Sequence, residues 1–175
     1  MEVEAIEVDD EPLETLAEDT APADSVEAER ERLMAIVRGY PMSKKRMLPE
    51  RLRRDDAMLI MVMLHEEGNL DDGFWPKMEP DGSEMPVKKC AFLADGIAGA
   101  IGLTQGKWVM FESFWNRRNM RQGYQARKNE NLDMTNPNDF EQGVLTVFRK
   151  AILINPSYKN LKLEQFFGYQ PLTRM

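Results

Sequence analysis

Residues 98–112 read AGAIGLTQGKWVMFE, and this stretch decides how the chain folds. Small residues followed by a run of large apolar residues predict two helices joined by a sharp turn. Gly102 suits the left-handed conformation that such a turn requires. Thr104 is expected to cap the second helix, which the apolar spacing extends over about residues 105–120.

The same stretch resembles the helix-turn-helix of repressor-type DNA-binding proteins over about residues 94–120. Ala98 is small where the two helices would cross, Leu103 would anchor the turn in the core, and Trp108 would pack the second helix onto the first. In that family the first turn of the second helix approaches base edges and phosphates. The resemblance therefore implies DNA contacts from Thr104, Gln105 and Lys107.

Residues 99–105, GAIGLTQ, also look like the Gly-Ala-x-Gly-Leu-x-Gln stretch of lytic transglycosylases and related lysozyme-like domains. That resemblance implies an upstream carboxyl that protonates a glycosidic oxygen in a partly desolvated cleft. Glu66 or Glu67 would be the catalytic acid. A peptidoglycan-cleaving enzyme is therefore one hypothesis for the function.

Outward from this stretch, hydrophobic spacing predicts further helices. Their approximate ranges are 25–37, 49–67, 86–101, 136–153 and 161–167. Residues 57–64, AMLIMVML, are apolar all round, which predicts deep burial or an oligomer contact. Residues 68–86 are expected to form a long loop. Because no useful segment alternates with period two, we expect a single all-α domain over residues 25–175.

The charge is divided unevenly along the chain. Residues 1–29 hold twelve acids and no Lys or Arg, so the net charge of −7 conceals a body of net charge +5. We expect residues 1–24 to be a disordered acidic tail. The split excludes a uniformly acidic protein that nucleic acid would repel. One hypothesis is that the tail competes with phosphates for the basic body.

Two basic clusters carry the positive charge of the body. Residues 38–54 have a net charge of +6, and residues 116–128 have +5 with no acid. The second cluster is expected to continue the recognition helix, with aromatic residues interleaved for stacking on bases. The alternatives are a solvated face or a docking site for the acidic tail. The candidate phosphate-binding residues are Lys44, Lys45, Arg46, Arg117, Arg118, Arg121, Arg127 and Lys128.

The sequence lacks the residues that several kinds of functional site require. His65 is the sole histidine and Cys90 the sole cysteine, so neither a metal site nor a disulfide is expected. No phosphate-binding Gly-rich loop is present, and no cofactor is expected. The longest apolar run is far shorter than a membrane span, and no signal peptide is evident, so we expect a cytoplasmic protein.

Taken together, these features favour a non-enzymatic DNA-binding protein that forms a homo-oligomer. The helix pair, the Met-rich apolar helix and the charged tail are similar to phage small terminase subunits. That similarity implies recognition or packaging of viral DNA, ring assembly and a place in the host cytoplasm or virion. Regulation is the other function expected of such a DNA-binding protein. The main alternative is a virion or scaffold assembly protein, whose basic clusters or Met-rich helix bind partner proteins.

Overall fold

The computed structural model describes residues 23–130 and 136–161, and over these ranges the chain is helical, with no strand. The described residues form seven α-helices, which are connected by turns and one long loop. Short 3-10 turns lie at Glu50–Arg53 and Pro156–Leu161. The helices are α1 Ala23–Arg38, α2 Met42–Lys45, α3 Asp55–Glu66, α4 Val87–Ala100, α5 Lys107–Trp115, α6 Met120–Glu130 and α7 Asp139–Ile154.

The all-α prediction is confirmed, and the predicted bounds of α1, α4 and α7 agree with the structure to within two or three residues. Helix α7 begins with a capping box, in which the Asn138 side chain accepts a hydrogen bond from the Glu141 backbone N–H and the Glu141 carboxylate accepts one from the Asn138 backbone N–H. The predicted tail lies almost wholly outside the described residues, and so does most of the predicted last helix at 161–167.

The apolar helix α3 lies at the centre of the core. All eight residues from Ala57 to Leu64 are buried, and α3 packs against α1, α4 and α7. The methionines of this helix are therefore enclosed by the chain's own helices, so they do not present a partner-binding face. Met42, Met47 and Met78 are the exposed methionines among the described residues.

Helix α4 contacts more of the molecule than any other described helix, including α3, α5, α6 and α7. Gly96 makes one of these contacts possible, because a Cβ atom at this position would lie 2.3 Å from the Phe148 ring. The glycine thus lets α4 and α7 approach closely.

The prediction of one continuous helix over residues 49–67 is wrong. Arg54 is extended, with ψ 153°, and separates the 3-10 turn from α3. Asp55 and Asp56 then provide negative charge in the first turn of α3, where the helix dipole favours it. Residues 49–54 of the predicted helix therefore form a separate segment ahead of α3.

The prediction of a helix over residues 105–120 is also wrong, because the helix is shorter. It ends at Trp115, since Asn116 and Asn119 both adopt left-handed conformations that interrupt a helix. The Glu112 carboxylate then accepts a hydrogen bond from the Met120 backbone N–H at the start of α6, at 2.9 Å. The second basic cluster consequently lies on a loop and a different helix.

Candidate nucleic-acid interface

The link between α4 and α5 differs from the expected helix-turn-helix. Gly102 takes the predicted left-handed conformation, with φ 73°. The cap of α5 is Gly106, also left-handed, so the prediction that Thr104 is the cap is wrong. Thr104 and Gln105 are exposed in the link, ahead of the first helical turn. Neither is presented from a helix as a repressor-type protein would present it.

Lys107, the first residue of α5, is engaged inside the protein. Its Nζ forms an ion pair with the carboxylate of Asp95 on α4 and lies 5.0 Å from the centroid of the Trp108 ring. Asp95 is only 7% exposed, so it needs a cationic partner. Lys107 therefore balances an internal charge and is not free to bind phosphate.

An aromatic pair covers this ion pair. The Trp108 and Tyr124 ring centroids lie 5.5 Å apart, and Lys128 Nζ lies 5.9 Å from the Tyr124 ring. Burial, reinforced by the negative charge of Asp95, raises the pKa of Tyr124. These half-buried rings pack α5 against α6 and against each other, which limits their access to bases.

The second basic cluster is divided between structural and exposed cations. Arg127 donates two hydrogen bonds to the buried Glu141, at 2.7 and 2.8 Å, and so joins α6 to α7. Arg117 donates to the Met85 carbonyl at 2.7 Å and to Cys90 Sγ. These two arginines are internal links of the fold.

Arg118 and Arg121 are exposed, and within residues 23–130 and 136–158 neither has a hydrogen bond or an ion pair. These two arginines therefore remain candidates for phosphate binding. Only part of the cluster that the sequence predicted is accessible to a polyanion.

The first basic cluster keeps unpaired cations in its most charged part. We call this part, residues 42–54, the basic segment. Its net charge is +5, with Glu50 as the one acid. Arg53 donates to the carbonyls of Leu48 and Arg46, at 2.9 and 3.1 Å, and so holds the segment together. Arg54 pairs with Asp56. Within the basic segment, the cations without a partner among the described residues are Lys44, Lys45, Arg46 and Arg51.

An apolar groove separates the basic segment from α5. It consists of two adjoining hollows, of about 280 and about 520 Å³, that share Met47, Leu48 and Phe114. Met47 is 78% exposed, Val109 74% and Trp75 41%, although all three are large and apolar. The remaining lining residues are Tyr40, Lys44, Pro49, Asp72, Gly73, Met110 and Ser113.

The structure thus brings the candidate recognition helix beside the first basic cluster, but through an unexpected face. Val109, Met110, Ser113 and Phe114 face the groove, whereas the sequence pointed to the start of that helix. Hydrophobic spacing could not show this, because a helix that is apolar on several sides gives no clear buried face.

The glutamates of the lysozyme-like hypothesis lie in a different environment from a catalytic acid. Both Glu66 carboxylate oxygens accept hydrogen bonds from Arg32, at 2.9 Å each, and this contact lowers the pKa of Glu66. A general acid needs the opposite shift. The adjacent hollow, which Glu67 also lines, has a volume of about 60 Å³, too small for a sugar ring.

His65 ends α3 as expected, with Nδ1 2.9 Å from the Leu70 carbonyl oxygen. No group of three His, Cys, Asp or Glu among the described residues is placed to hold a metal ion. No described helix is long and apolar enough to cross a membrane. No protein-family model, curated protein or solved structure matches the chain.

Proposed function

We propose that the protein binds DNA through phosphate contacts made by the basic segment. The observation that carries this proposal is the set of four cations there that have no anionic partner in the described part of the chain. Unpaired surface cations that neutralise phosphates release condensed counterions, which is a major source of affinity for DNA. The proposal assigns further phosphate contacts to Arg118 and Arg121, which are also exposed and unpaired in the described part of the chain.

The local geometry supports this use of the segment. The Arg53 side chain donates to the carbonyls of Arg46 and Leu48 and so fixes the backbone that carries the unpaired cations at two points. A cluster held by the fold loses less conformational entropy on binding than separate flexible side chains. By contrast, Lys107, Arg117 and Arg127 each form contacts that a phosphate would have to displace.

Phosphate contacts carry no sequence information, so the proposed binding is independent of sequence. Viral DNA recognition, which the similarity to small terminase subunits implies, would need base contacts in addition. Thr104 and Gln105 are the exposed residues of the α4–α5 link that could supply them.

The test compares two triple variants with the same change of charge. Lys44→Gln/Arg46→Gln/Arg51→Gln removes unpaired cations. Arg32→Gln/Lys88→Gln/Lys150→Gln removes cations that already pair with Glu66, Glu130 and Glu29. DNA affinity is measured by fluorescence anisotropy between about 50 and 200 mM salt.

The first variant should make the slope of log K against log salt less negative by about two to three, because each lost phosphate contact releases nearly one counterion fewer. The paired-cation variant should change the slope by less than about one. Equal losses in both variants would show only an effect of net charge and would contradict the proposal. No binding by the wild type would favour the assembly-protein alternative.

The homo-oligomer expected from the sequence belongs to the same proposal. Since the Met-rich helix is buried, an oligomer contact has to use other apolar side chains, among which Ile36 and Leu153 are partly exposed. Light scattering on the intact chain measures its mass directly, and a monomer across the micromolar range would contradict the expectation.

A further inference from the structure

We infer that the apolar groove beside the basic segment binds the chain's own acidic N-terminal segment, residues 2–19. The groove is open, and its lining exposes three large side chains, Met47, Trp75 and Val109, that a monomeric protein would ordinarily cover. This inference does not depend on DNA binding.

Charge complementarity selects this occupant. Residues 2–19 hold nine acids and no base, with Val3, Ile6, Val8, Leu13 and Leu16 placed among them. The groove offers apolar surface, and the unpaired Lys44 on its edge adjoins Lys45 and Arg46. Among the described residues, Asp72 is the one acid that lines these hollows. An acidic segment with interspersed apolar residues matches both properties.

The C-terminal residues 162–175 are the other candidate within the chain. They contain Phe166, Phe167 and Tyr169, but they carry Lys162 and Arg174 against Glu164 alone. Their net positive charge would oppose that of the basic segment. Charge therefore favours the N-terminal segment.

The reach of the N-terminal segment is sufficient. Helix α1 has 16 residues, so its start lies about 24 Å from its end, which is two residues before Tyr40 of the groove. A return over that distance uses about seven or eight extended residues. Residues 2–14, with four of the five apolar side chains, remain to occupy the groove.

Tethering makes even a weak contact effective. A segment joined by a short linker has an effective concentration on the order of 1 mM. A dissociation constant of about 0.1 mM would then keep the groove about 90% occupied. The competing occupants are a second copy of the chain and an unrelated partner.

Photo-crosslinking in the full-length chain tests the inference. The photoreactive residue p-benzoylphenylalanine replaces Val109 in the groove or, as a control, Leu153, an exposed apolar residue on α7. Because residues 1–29 contain no Lys or Arg, trypsin releases the segment as residues 1–30. Mass spectrometry then identifies this peptide joined to residues 108–117.

The Val109 site should give this crosslink in about ten-fold higher yield than the Leu153 site gives any crosslink to residues 1–30. Lys44→Glu/Arg46→Glu should lower the yield several-fold, whereas Lys88→Glu/Lys150→Glu should leave it unchanged. A ¹⁵N-labelled and unlabelled mixture should give crosslinks within one copy. Crosslinks from Val109 to residues 162–175, between copies, or to neither segment would overturn the inference.

Discussion

At the scale of single residues, Asp95 is one of two buried acids in the described part of the chain, the other being Glu141. Asp95 is a carboxylate in the middle of α4, surrounded by apolar side chains, and Lys107 is the cation that balances it. A buried charge that loses its partner costs about 3–5 kcal/mol, and the cost is lower when one partner stays partly exposed. Because the Lys107 side chain is 27% exposed, we expect the lower cost for this pair.

Lys107→Met should therefore lower the free energy of unfolding by about 2–3 kcal/mol, measured by urea denaturation. Asp95→Leu/Lys107→Met, which removes both charges, should recover most of that loss. The DNA affinity of folded Lys107→Met should match that of the wild type. If Lys107→Met were as stable as the wild type but bound DNA more weakly, Lys107 would be a DNA-binding residue after all.

Gly96 gives a second prediction at this scale, with Gly143 as its matched control. Both glycines lie inside helices, where Ala is intrinsically favoured by about 1 kcal/mol. A Cβ at Gly96 would meet the Phe148 ring, whereas a Cβ at Gly143 meets nothing within 4 Å. Gly96→Ala should destabilise by about 1–3 kcal/mol through overpacking, and Gly143→Ala should stabilise by up to about 1 kcal/mol. Equal shifts in the urea midpoint would contradict the close contact of α4 and α7.

At the scale of elements, an ion-pair network joins α1, α3 and α7. Arg32 on α1 bonds Glu29 on the same helix and Glu66 on α3, and Lys150 on α7 lies 3.2 Å from Glu29. The hydrogen bond from Arg32, with help from Lys150, lowers the pKa of Glu29 to about 2. The pKa of Glu66 is lowered for the same main reason.

Because both folded-state pKa values are depressed, the network contributes stability above about pH 4.5, and the contribution is lost as the pH falls toward 2. The side chains are largely solvent-screened, so the contribution should be below about 1 kcal/mol. Arg32→Gln should lower the Tm by no more than about 4 °C at pH 7, and its Tm should converge with that of the wild type only as the pH falls to about 2 and below. Arg38→Gln, which changes an exposed cation outside the network, should leave the pH profile unchanged. Parallel profiles for wild type and Arg32→Gln would show that the network has no such role.

The elements also show how far the sequence could predict the structure. Helices bounded by Gly and Pro, such as α4 between Pro86 and Gly102, were predictable because the stop signals are local. The break at Asn116 was not, since it depends on a left-handed conformation that the sequence permits without requiring. The internal contacts of Lys107, Arg117 and Arg127 were not predictable either. Each is made with a residue 12 to 32 positions away, which spacing along one helix does not reveal.

At the scale of the whole molecule, the structure sharpens the meaning of the division of charge. The cations that stay unpaired in the described body concentrate in the basic segment, beside a groove that exposes apolar side chains. A deletion of residues 1–29 would remove the first turns of α1 and the Glu29 ion pairs along with the acidic residues. Charge neutralisation therefore probes the acidic segment more cleanly than truncation.

The last prediction concerns this neutralisation. Replacing the nine acids of residues 2–19 by their amides should raise DNA affinity about ten-fold at low salt, because the groove and the basic segment lose their competitor. The gain should shrink as salt screens both contacts. In the Lys44→Gln/Arg46→Gln/Arg51→Gln background, the same amide substitutions should raise affinity less than about two-fold, since the shared surface is gone. An equal gain in both backgrounds would mean that the acids repel DNA through the overall charge and do not compete for the basic segment.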